Sequence, residues 1–368
     1  MIGIMNDFPS HIVTNKSLRI TKKYFNEEVL PVFNKISASI PPFKKIYDVA
    51  GKTICLNFYS EKLLYKMSKA FAHIEKDSDN DPDLSVCIWD SVSTNTHLAS
   101  PWVNDVEYIY PREVNAKTIN HDSFLGIYLH GEETLNLYDE KNNTAYFWIY
   151  DADRLPYRLS ASPLRLILNW FLSKKGVHLM HGAAVSLNGK SILLTAKGGS
   201  GKSTTALSCF FAGMSYLGDD YVTVKSGDVI TTHSIYSSTK LFPESFHDTF
   251  PALKDKIWNE NGTDKENEKV AVFLSELYPQ KIIKEAPLHA IMIPVIQNVE
   301  ETKIVPASKV QTMVSMLPAT LFQLYLTKSN KITELRAIVE RTPCYFLELG
   351  YDLNGVAAAI KSFLANEQ

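Results

Sequence analysis

The spacing of apolar and polar residues divides the chain into two parts with different patterns. In the first part, β-branched and aromatic runs typical of strands cover residues 52–60, 84–91, 124–130 and 134–150. Residues 61–74 instead carry apolar side chains at helical intervals, and residues 141–143 predict a hairpin turn inside the last run. The pattern therefore predicts a β-rich α+β domain over residues 1–153.

The second part begins with a predicted helix that joins the two halves. Ser162 is placed as its N-cap, Pro163 as its first helical residue, and Gly176 just past its end. After this helix the pattern becomes strand, loop, helix and strand, which indicates an α/β fold over residues 154–368. Within that fold the polar residues 254–269 predict an exposed, mobile loop.

The segment TAKGGSGKSTTA, residues 195–206, lies between an apolar run typical of a buried strand and a run with helical spacing. Glycines at such a junction let successive backbone N–H groups surround phosphate oxygens without obstruction, and the helix N-terminus adds partial positive charge. The pattern is a Walker A motif, A-x-x-x-x-G-K-S, with alanine where glycine is common. It predicts a nucleotide-binding loop made of Ala196, Lys197, Gly198, Gly199, Ser200, Gly201, Lys202, Ser203 and Thr204.

Further residues have the chemistry that phosphoryl transfer requires. Lys202 is placed to reach the β- and γ-phosphates, and the hydroxyl of Ser203 to bind Mg²⁺. Transfer to a hydroxyl also needs a metal-holding carboxylate and a base, and Asp219 and Asp220 at the end of a short apolar run could divide these duties. His181 precedes the loop along the chain. Taken alone, the aspartates also fit a polar hairpin turn, and the histidine fits a buried structural position.

The combination of motifs carries a resemblance. His-Gly at 181–182, AKGGSGKSTTAL and LGDDYV follow one another in the order and at spacings similar to the HPr kinase/phosphorylase family, whose P-loop core is like that of phosphoenolpyruvate carboxykinase. More loosely, PYRLSASPLRLILNWF, HSIYSSTKL and PCYFLELG look like HPr-kinase-like proteins found among peptide-tailoring genes, including kinases of lasso peptide precursors. The stronger match covers residues 177–224, and the looser one most of residues 150–360.

This resemblance implies a P-loop kinase core and a role for each matching residue. It implies that Lys202 anchors phosphate, that Ser203 and Asp220 belong to the Mg²⁺ site, and that Asp219 is the general base. It also implies that His181 lies beside the phosphate being transferred. ATP and Mg²⁺ are the implied cofactors, and homo-oligomers are known in the family.

The chain also departs from the family pattern. The glycine-rich signature and the arginine that follow the aspartates in HPr kinases are not found after Val224. HPr as substrate and phosphorylase activity are therefore not expected. Lys240 and Arg341 are candidates for the missing cationic contact, each with an ordinary surface role as the alternative. Arg154, Arg158 and Arg165 near the joining helix are of a type that is usually solvated, although a cluster there could hold an acidic acceptor.

Composition limits the other functions. The 368 residues carry a formal net charge of −2, which lacks the basic excess of a nucleic-acid-binding protein. The four cysteines are scattered without a CxxC pair, which favours reduced thiols in the cytoplasm. No window is long and apolar enough for a membrane span, and the first residues do not resemble a signal peptide, so a membrane partner is not expected.

The leading hypothesis is therefore an ATP-dependent kinase that transfers the γ-phosphate to a hydroxyl. The acceptor would be a serine or threonine of a peptide or protein, or a small alcohol, with residues 1–153 helping to bind it. Two alternatives remain open at this point. One is a nucleotide-binding regulatory protein without phosphotransfer, and the weaker one is an ATPase motor or transporter subunit.

Overall fold

The computed structural model describes residues 24–78, 80–98, 124–129, 132–258, 269–321, 323–324 and 331–366 as a mixed α/β protein. A π-helical turn, Phe25–Val29, precedes the first α-helix. The α-helices of the described residues are α1 (Leu30–Ser39), α2 (Glu61–Ser68), α3 (Ser91–Thr94), α4 (Tyr157–Ala161), α5 (Arg165–Ser173), α6 (Lys202–Phe211), α7 (Pro243–Asp248), α8 (Leu274–Leu277), α9 (Lys309–Leu321), α10 (Lys331–Arg341) and α11 (Leu353–Asn366). Short 3₁₀ segments are Lys69–Ile74, Ala152–Arg154, Pro251–Lys256 and Pro279–Lys281.

The first half of the chain forms a six-stranded mixed sheet. Its strands are β1 (Phe43–Val49), β2 (Lys52–Phe58), β3 (Leu84–Asp90), β4 (Phe124–Leu129), β5 (Thr134–Asp139) and β6 (Thr144–Ile149), in the spatial order β1-β2-β3-β6-β5-β4. β2, β3 and β6 run parallel, while β5 and β6 pair antiparallel across the hairpin predicted from the sequence. The apolar runs therefore predicted β2 to β6, whose apolar side chains lie mostly in the core. Strand β1 was not predicted, because only Tyr47 and Val49 among its residues are buried.

The second half builds a nine-stranded sheet and a two-stranded one. The large sheet has the order β10-β8-β9-β15-β12-β11-β7, with β17 pairing β15 and β16 pairing β17. The strands are β7 (Val177–His181), β8 (Ala183–Leu187), β9 (Lys190–Leu194), β10 (Ser215–Gly218), β11 (Tyr221–Lys225), β12 (Thr231–His233), β13 (Ser238–Leu241), β14 (Val270–Phe273), β15 (Glu285–Val299), β16 (Lys303–Pro306) and β17 (Cys344–Gly350). β9 and β17 both run parallel to β15, so their carboxyl ends meet at one edge.

An apolar cluster crosses from one half of the chain to the other. Helix α5 has nearly all its side chains buried, and Ile167, Trp170 and Phe171 pack with strand residues of the six-stranded sheet such as Phe58 and Phe147. Burying this face keeps the six-stranded sheet next to the segment that begins the second half. The boundary between residues 1–153 and 154–368 stays a prediction.

The predicted cap of the joining helix is wrong. Ser162 follows α4, and α5 starts later, after Leu164 in the left-handed conformation (φ 59°). The reason is a competing partner, because the Ser162 hydroxyl donates at 3.1 Å to Oδ2 of Asp220 instead of capping the helix. Pro163 therefore lies before the helix, and its carbonyl accepts from the Tyr236 hydroxyl at 2.7 Å.

The structure also differs from the prediction at helix α1 and in part of the predicted loop 254–269. Helix α1 was not predicted, since only Ile36 among its residues is buried and its apolar spacing is weak. Of the predicted loop 254–269, residues 254–256 end a 3₁₀ segment and Trp258 pairs with Ala271 across an isolated bridge, while residues 259–268 lie outside the described residues.

All four cysteines are buried and unpaired. Among the described residues, none of the helices has the length and apolar character to cross a bilayer.

Candidate phosphate-binding site and neighbouring cavity

The Walker A segment forms the connection between β9 and α6. Gly201 caps the helix with φ +93°, a left-handed conformation that glycine adopts at little cost. Apart from the turn at Gly198–Gly199, the backbone N–H groups of residues 197–204 have no hydrogen-bond acceptor among the described residues, and the buried hydroxyl of Ser200 also has no partner there. A loop with several unsatisfied donors at a helix N-terminus suits a bound anion.

Lys202 lies folded over this loop. Its ammonium donates to the carbonyls of Ala196 at 2.7 Å and Lys197 at 2.9 Å, and the residue is 7% exposed. Burial lowers the pKa of Lys202, while the nearby charges of Asp219 and Asp220 oppose that shift. The side chain therefore already lies at the loop that its predicted ligand would occupy.

Strand β7 brings His181 next to the aspartate pair. His181 pairs with Tyr221 of β11, and the N–H of Gly182 donates to the carbonyl of Asp220 at 3.1 Å. A Cβ on Gly182 would lie 2.6 Å from the carbonyl oxygen of Leu194, so glycine is needed for the close approach of β9. This explains physically why the His-Gly pair and the loop belong to one structural unit.

Asp219 is completely enclosed and accepts three hydrogen bonds. Its Oδ1 accepts from the Ser203 hydroxyl at 2.9 Å, and its Oδ2 accepts from the Thr239 hydroxyl at 3.1 Å and from the backbone N–H of Lys240 at 3.2 Å. The residue is 1% exposed. Asp219 is therefore tied to the hydroxyl that the motif assigns to Mg²⁺.

Asp220 has a different environment from its neighbour. It has φ +67°, and its Oδ2 accepts from Ser162 and from the ammonium of Lys240. Oδ1 lies 3.8 Å from Nδ1 of His181, a separation too long for a hydrogen bond. The left-handed backbone turns the two aspartate side chains toward different partners.

Electrostatics hold these groups in definite charge states. Burial opposes the charged form of Asp220, but the charge of Lys240 and the hydrogen bonds from Lys240 and Ser162 hold its pKa below the ordinary value. Burial lowers the pKa of His181, and Lys202 and Lys240 act in the same direction against the attraction of Asp220. Near neutral pH the site therefore contains an ionised Asp220 and a neutral His181.

A cavity of about 200 Å³ opens beside Asp220. It is smaller than the pockets of about 300–1,000 Å³ that hold drug-sized ligands, so it suits a small molecule or the end of a larger one. Its lining residues come from α4 and the residue after it, α5, the turn after β10, β11, β13 and the segment after α9. They are Arg158, Ser162, Arg165, Asp220, Tyr221, Lys240 and Gln323. Asp220 therefore belongs both to the wall of the cavity and to the aspartate pair beside the candidate phosphate-binding loop.

The residues present fit a phosphate ligand and a magnesium ion. Ser203 and Asp219 offer a hydroxyl and a carboxylate oxygen, the hard ligands that Mg²⁺ prefers. No cluster of three or more His, Cys, Asp or Glu residues suited to a metal occurs in the described part of the chain. Mg²⁺ in such sites is commonly held by one or two carboxylates and by the phosphates of its ligand, so a larger cluster is not required.

Some predicted residues lie elsewhere. Arg341 donates from Nη2 to the carbonyls of Gly227 and Asp228, in the turn between β11 and β12, and does not line the cavity. Arg154 has a side chain 66% exposed and lies 3.7 Å from Glu133. Of the two candidates for a cationic contact, Lys240 is therefore the one next to the aspartates.

Sequence analysis missed several partners of the site. The main ones are Thr239, which donates to Asp219, and Glu132, which accepts from Arg158. In each pair the partners are far apart along the chain and meet only in the folded structure. For Thr239 a weak signal existed in the segment HSIYSSTKL, which ends at Leu241. No local pattern marks Glu132, which precedes the arginine it binds by 26 positions.

Comparisons with known proteins add little. No protein-family model matches the chain, and no curated protein matches it. Among solved structures, the HPr(Ser) kinase/phosphatase from Coxiella burnetii is similar with a TM-score of 0.28 and 8% identity, over 50% of this chain and 95% of that chain. A likeness this weak carries no argument about fold or activity, so the function has to be argued from the site itself.

Proposed function

We propose that the protein is an ATP-dependent kinase with a P-loop core, which transfers the γ-phosphate to a hydroxyl-bearing acceptor. The observation that carries this proposal is the aspartate pair. Asp219 binds the Walker A Ser203, while the adjacent Asp220 lines a cavity next to the loop. A phosphate-and-metal site and a space for an acceptor are thus joined by two consecutive residues, as a transfer reaction requires.

The contacts support the reverse of the roles that the resemblance implies, in which Asp219 is the base and Asp220 belongs to the metal site. Asp219 has all its hydrogen bonds directed to Ser203, Thr239 and a backbone N–H, which suits a carboxylate of the metal site. Asp220 faces the cavity and is held ionised by Lys240, which suits the group that accepts a hydrogen bond from the acceptor hydroxyl. We assign the metal role to Asp219 and the base role to Asp220.

The other residues then have these roles. The backbone N–H groups of residues 197–204 and the ammonium of Lys202 bind the phosphates, and Ser203 with Asp219 would hold Mg²⁺. Mg²⁺ and ATP together supply the phosphoryl group and neutralise part of its charge. Lys240, 12% exposed, would stabilise charge on the transferred group, and His181 in its neutral form would orient the acceptor.

The test is transfer of label from γ-³²P-ATP, with Mg²⁺, into a fractionated extract and a panel of serine-containing peptides and small alcohols. We expect a labelled product with the wild type and none with Lys202→Ala. Lys303→Ala, which removes an exposed lysine from β16, is the matched control and should transfer normally. A Lys303→Ala protein as inactive as Lys202→Ala would mean that the loss does not report on the loop.

ATP binding is measured in parallel by equilibrium dialysis. Binding by the wild type without any transfer, together with loss of binding in Lys202→Ala, would favour the nucleotide-binding regulatory protein. Equal ATP affinity of the wild type and Lys202→Ala would contradict the assignment of the loop as the phosphate site.

A further inference from the structure

The cavity beside Asp220 carries an excess of positive charge. Lys240 is paired with Asp220, which leaves Arg158 and Arg165 as the other charged side chains of the lining. Both arginines approach a single carboxylate, Glu132, which is not part of the lining. Two guanidinium groups therefore share Glu132 at the cavity wall, and Arg165 is also attracted by Asp220, which Lys240 already neutralises.

The two arginines differ in their hydrogen bonding to Glu132. Nε of Arg158 donates to Oε1 of Glu132 at 2.8 Å, and its side chain is 42% exposed. Nη2 of Arg165 lies 3.6 Å from the same oxygen, beyond hydrogen-bond distance, although its side chain is only 13% exposed. Within the described residues, the Arg165 guanidinium makes no hydrogen bond.

A guanidinium that is only 13% exposed and makes no hydrogen bond within the described residues has lost part of its hydration without gaining a protein acceptor, which is unfavourable. The same group presents five donors in a planar fork that matches the two oxygens of a carboxylate or the oxygens of a phosphate. Glu132 lies 3.6 Å from Nη2 of Arg165 without accepting a hydrogen bond, and Arg165 itself lines the cavity, so its donors remain available to a ligand there. This arrangement is suited to an anion that enters the cavity.

We propose that the acceptor carries an anionic group, a carboxylate or a phosphate, and that this group binds Arg165 and Arg158 while the acceptor hydroxyl lies toward Asp220. The inference rests on the proposed function for the identity of the ligand as an acceptor. The binding of the anion itself does not depend on phosphotransfer. Arg165 is thus assigned as the residue that determines acceptor specificity.

The experiment measures binding of three small alcohols by calorimetry without nucleotide, and so separates this proposal from kinase activity. The probes are glycerate, glycerol 3-phosphate and uncharged glycerol. We expect at least one anionic probe to bind the wild type tenfold or more tightly than glycerol, since hydrogen bonds to charged groups commonly give about tenfold to a hundredfold. The stronger of the two anionic probes tells whether the group is a carboxylate or a phosphate.

Three variants locate the binding. Arg165→Gln should abolish the preference for the anionic probe, and Arg158→Gln should reduce it less, because Arg158 is already hydrogen-bonded to Glu132. Lys202→Ala should retain the preference, which separates the cavity from the phosphate-binding loop. Arg336→Gln, at an arginine 71% exposed on α10, is the matched control and should bind like the wild type.

Each other outcome overturns the proposal. Equal binding of the three probes to the wild type would mean that the cavity does not select anions. A preference that survives in Arg165→Gln, or that is lost in Lys202→Ala, would place the anion elsewhere. Circular dichroism of each variant checks folding, and should Arg165→Gln be unfolded, a normal preference in folded Arg158→Gln would overturn the proposal on its own.

Discussion

The different roles that we propose for the two adjacent aspartates give the most informative prediction. In Asp219→Asn, the amide oxygen can keep the hydrogen bonds from Thr239 and from the N–H of Lys240, and the amide nitrogen can donate to the Ser203 hydroxyl. The hydrogen bonds become weaker, but a neutral amide is also less costly to bury, so we expect the free energy of unfolding to change by about 1 kcal/mol or less. The protein should therefore stay folded while the metal site loses its negative charge.

Asp219→Asn should raise the Mg²⁺ concentration that gives half-maximal activity. The Ser203 hydroxyl would now accept a hydrogen bond with a lone pair that a metal needs, and the carboxylate would be gone. Loss of a partner next to a metal typically weakens metal affinity by about 10- to 100-fold. We expect the half-saturating Mg²⁺ concentration to rise by that factor and activity to recover partly at high Mg²⁺.

Asp220→Asn should behave differently. The amide oxygen still accepts from Ser162 and Lys240, but it cannot take a proton from the acceptor. A missing general base commonly lowers the rate by about 10²- to 10⁴-fold. We expect that loss at saturating Mg²⁺, with an unchanged half-saturating Mg²⁺ concentration.

The assay is a Mg²⁺ titration of phosphotransfer, combined with Mg²⁺-dependent binding of a fluorescent ATP analogue. Denaturant unfolding of both variants checks that the folded state is retained, which matters most for Asp220→Asn because Lys240 keeps its charge there. A slow Asp219→Asn with normal Mg²⁺ demand, beside an active Asp220→Asn, would refute the reasoning. It would restore the roles that the resemblance implies.

Three other predictions concern stability. Gly182→Ala should lower the free energy of unfolding by about 1–3 kcal/mol in urea, because its Cβ would lie 2.6 Å from a carbonyl oxygen of β9, whereas Gly198→Ala, whose Cβ meets no atom within 4 Å, should change it far less. Burial lowers the pKa of His178 from 6.5 to about 4, so the neutral histidine stabilises the fold fully above pH 6.5 and this contribution is lost as pH falls toward 4. Over that range the free energy of unfolding of the wild type should fall by up to about 1.4 kcal/mol per pH unit relative to that of His178→Gln. Parallel plots of unfolding free energy against pH for the two proteins would contradict the assignment. Tyr236→Phe should cost about 1–3 kcal/mol, because it leaves the buried carbonyl of Pro163 without the donor that now lies at 2.7 Å; an unchanged denaturation midpoint would show that water replaces it.

The form of the loop between β9 and α6 could be predicted from sequence because its pattern is local. A strand, a glycine-rich turn and a helix start occupy consecutive positions, so the segment around Gly201 and Lys202 is readable without the fold. The five-residue segment GDDYV was likewise recognised as a candidate. The sequence therefore predicted that Asp219 and Asp220 lie close to the loop, but not how their side chains are oriented.

The directions of the two aspartate side chains were not predictable. They depend on the left-handed backbone at Asp220 and on Thr239, which arrives from β13. Ser162 illustrates the same limit, since a good helix cap in sequence was used for a long-range hydrogen bond to Asp220. Such choices are decided by tertiary partners, and a local pattern cannot report which partner lies nearest.

The shared apolar cluster around α5 has a consequence for recombining this chain with other proteins. An exchange made at residue 153 would separate Trp170 and Phe171 from the sheet side chains that cover them, such as Phe147. A chimera built at that junction would carry two mismatched halves of one core. A junction placed after Ser173 keeps α5 with its own sheet and moves Arg158 and Arg165 together with it. The natural unit of exchange therefore includes the arginine side of the cavity, and if the proposed roles hold, a new first half would change the acceptor preference while the loop between β9 and α6 stayed the same.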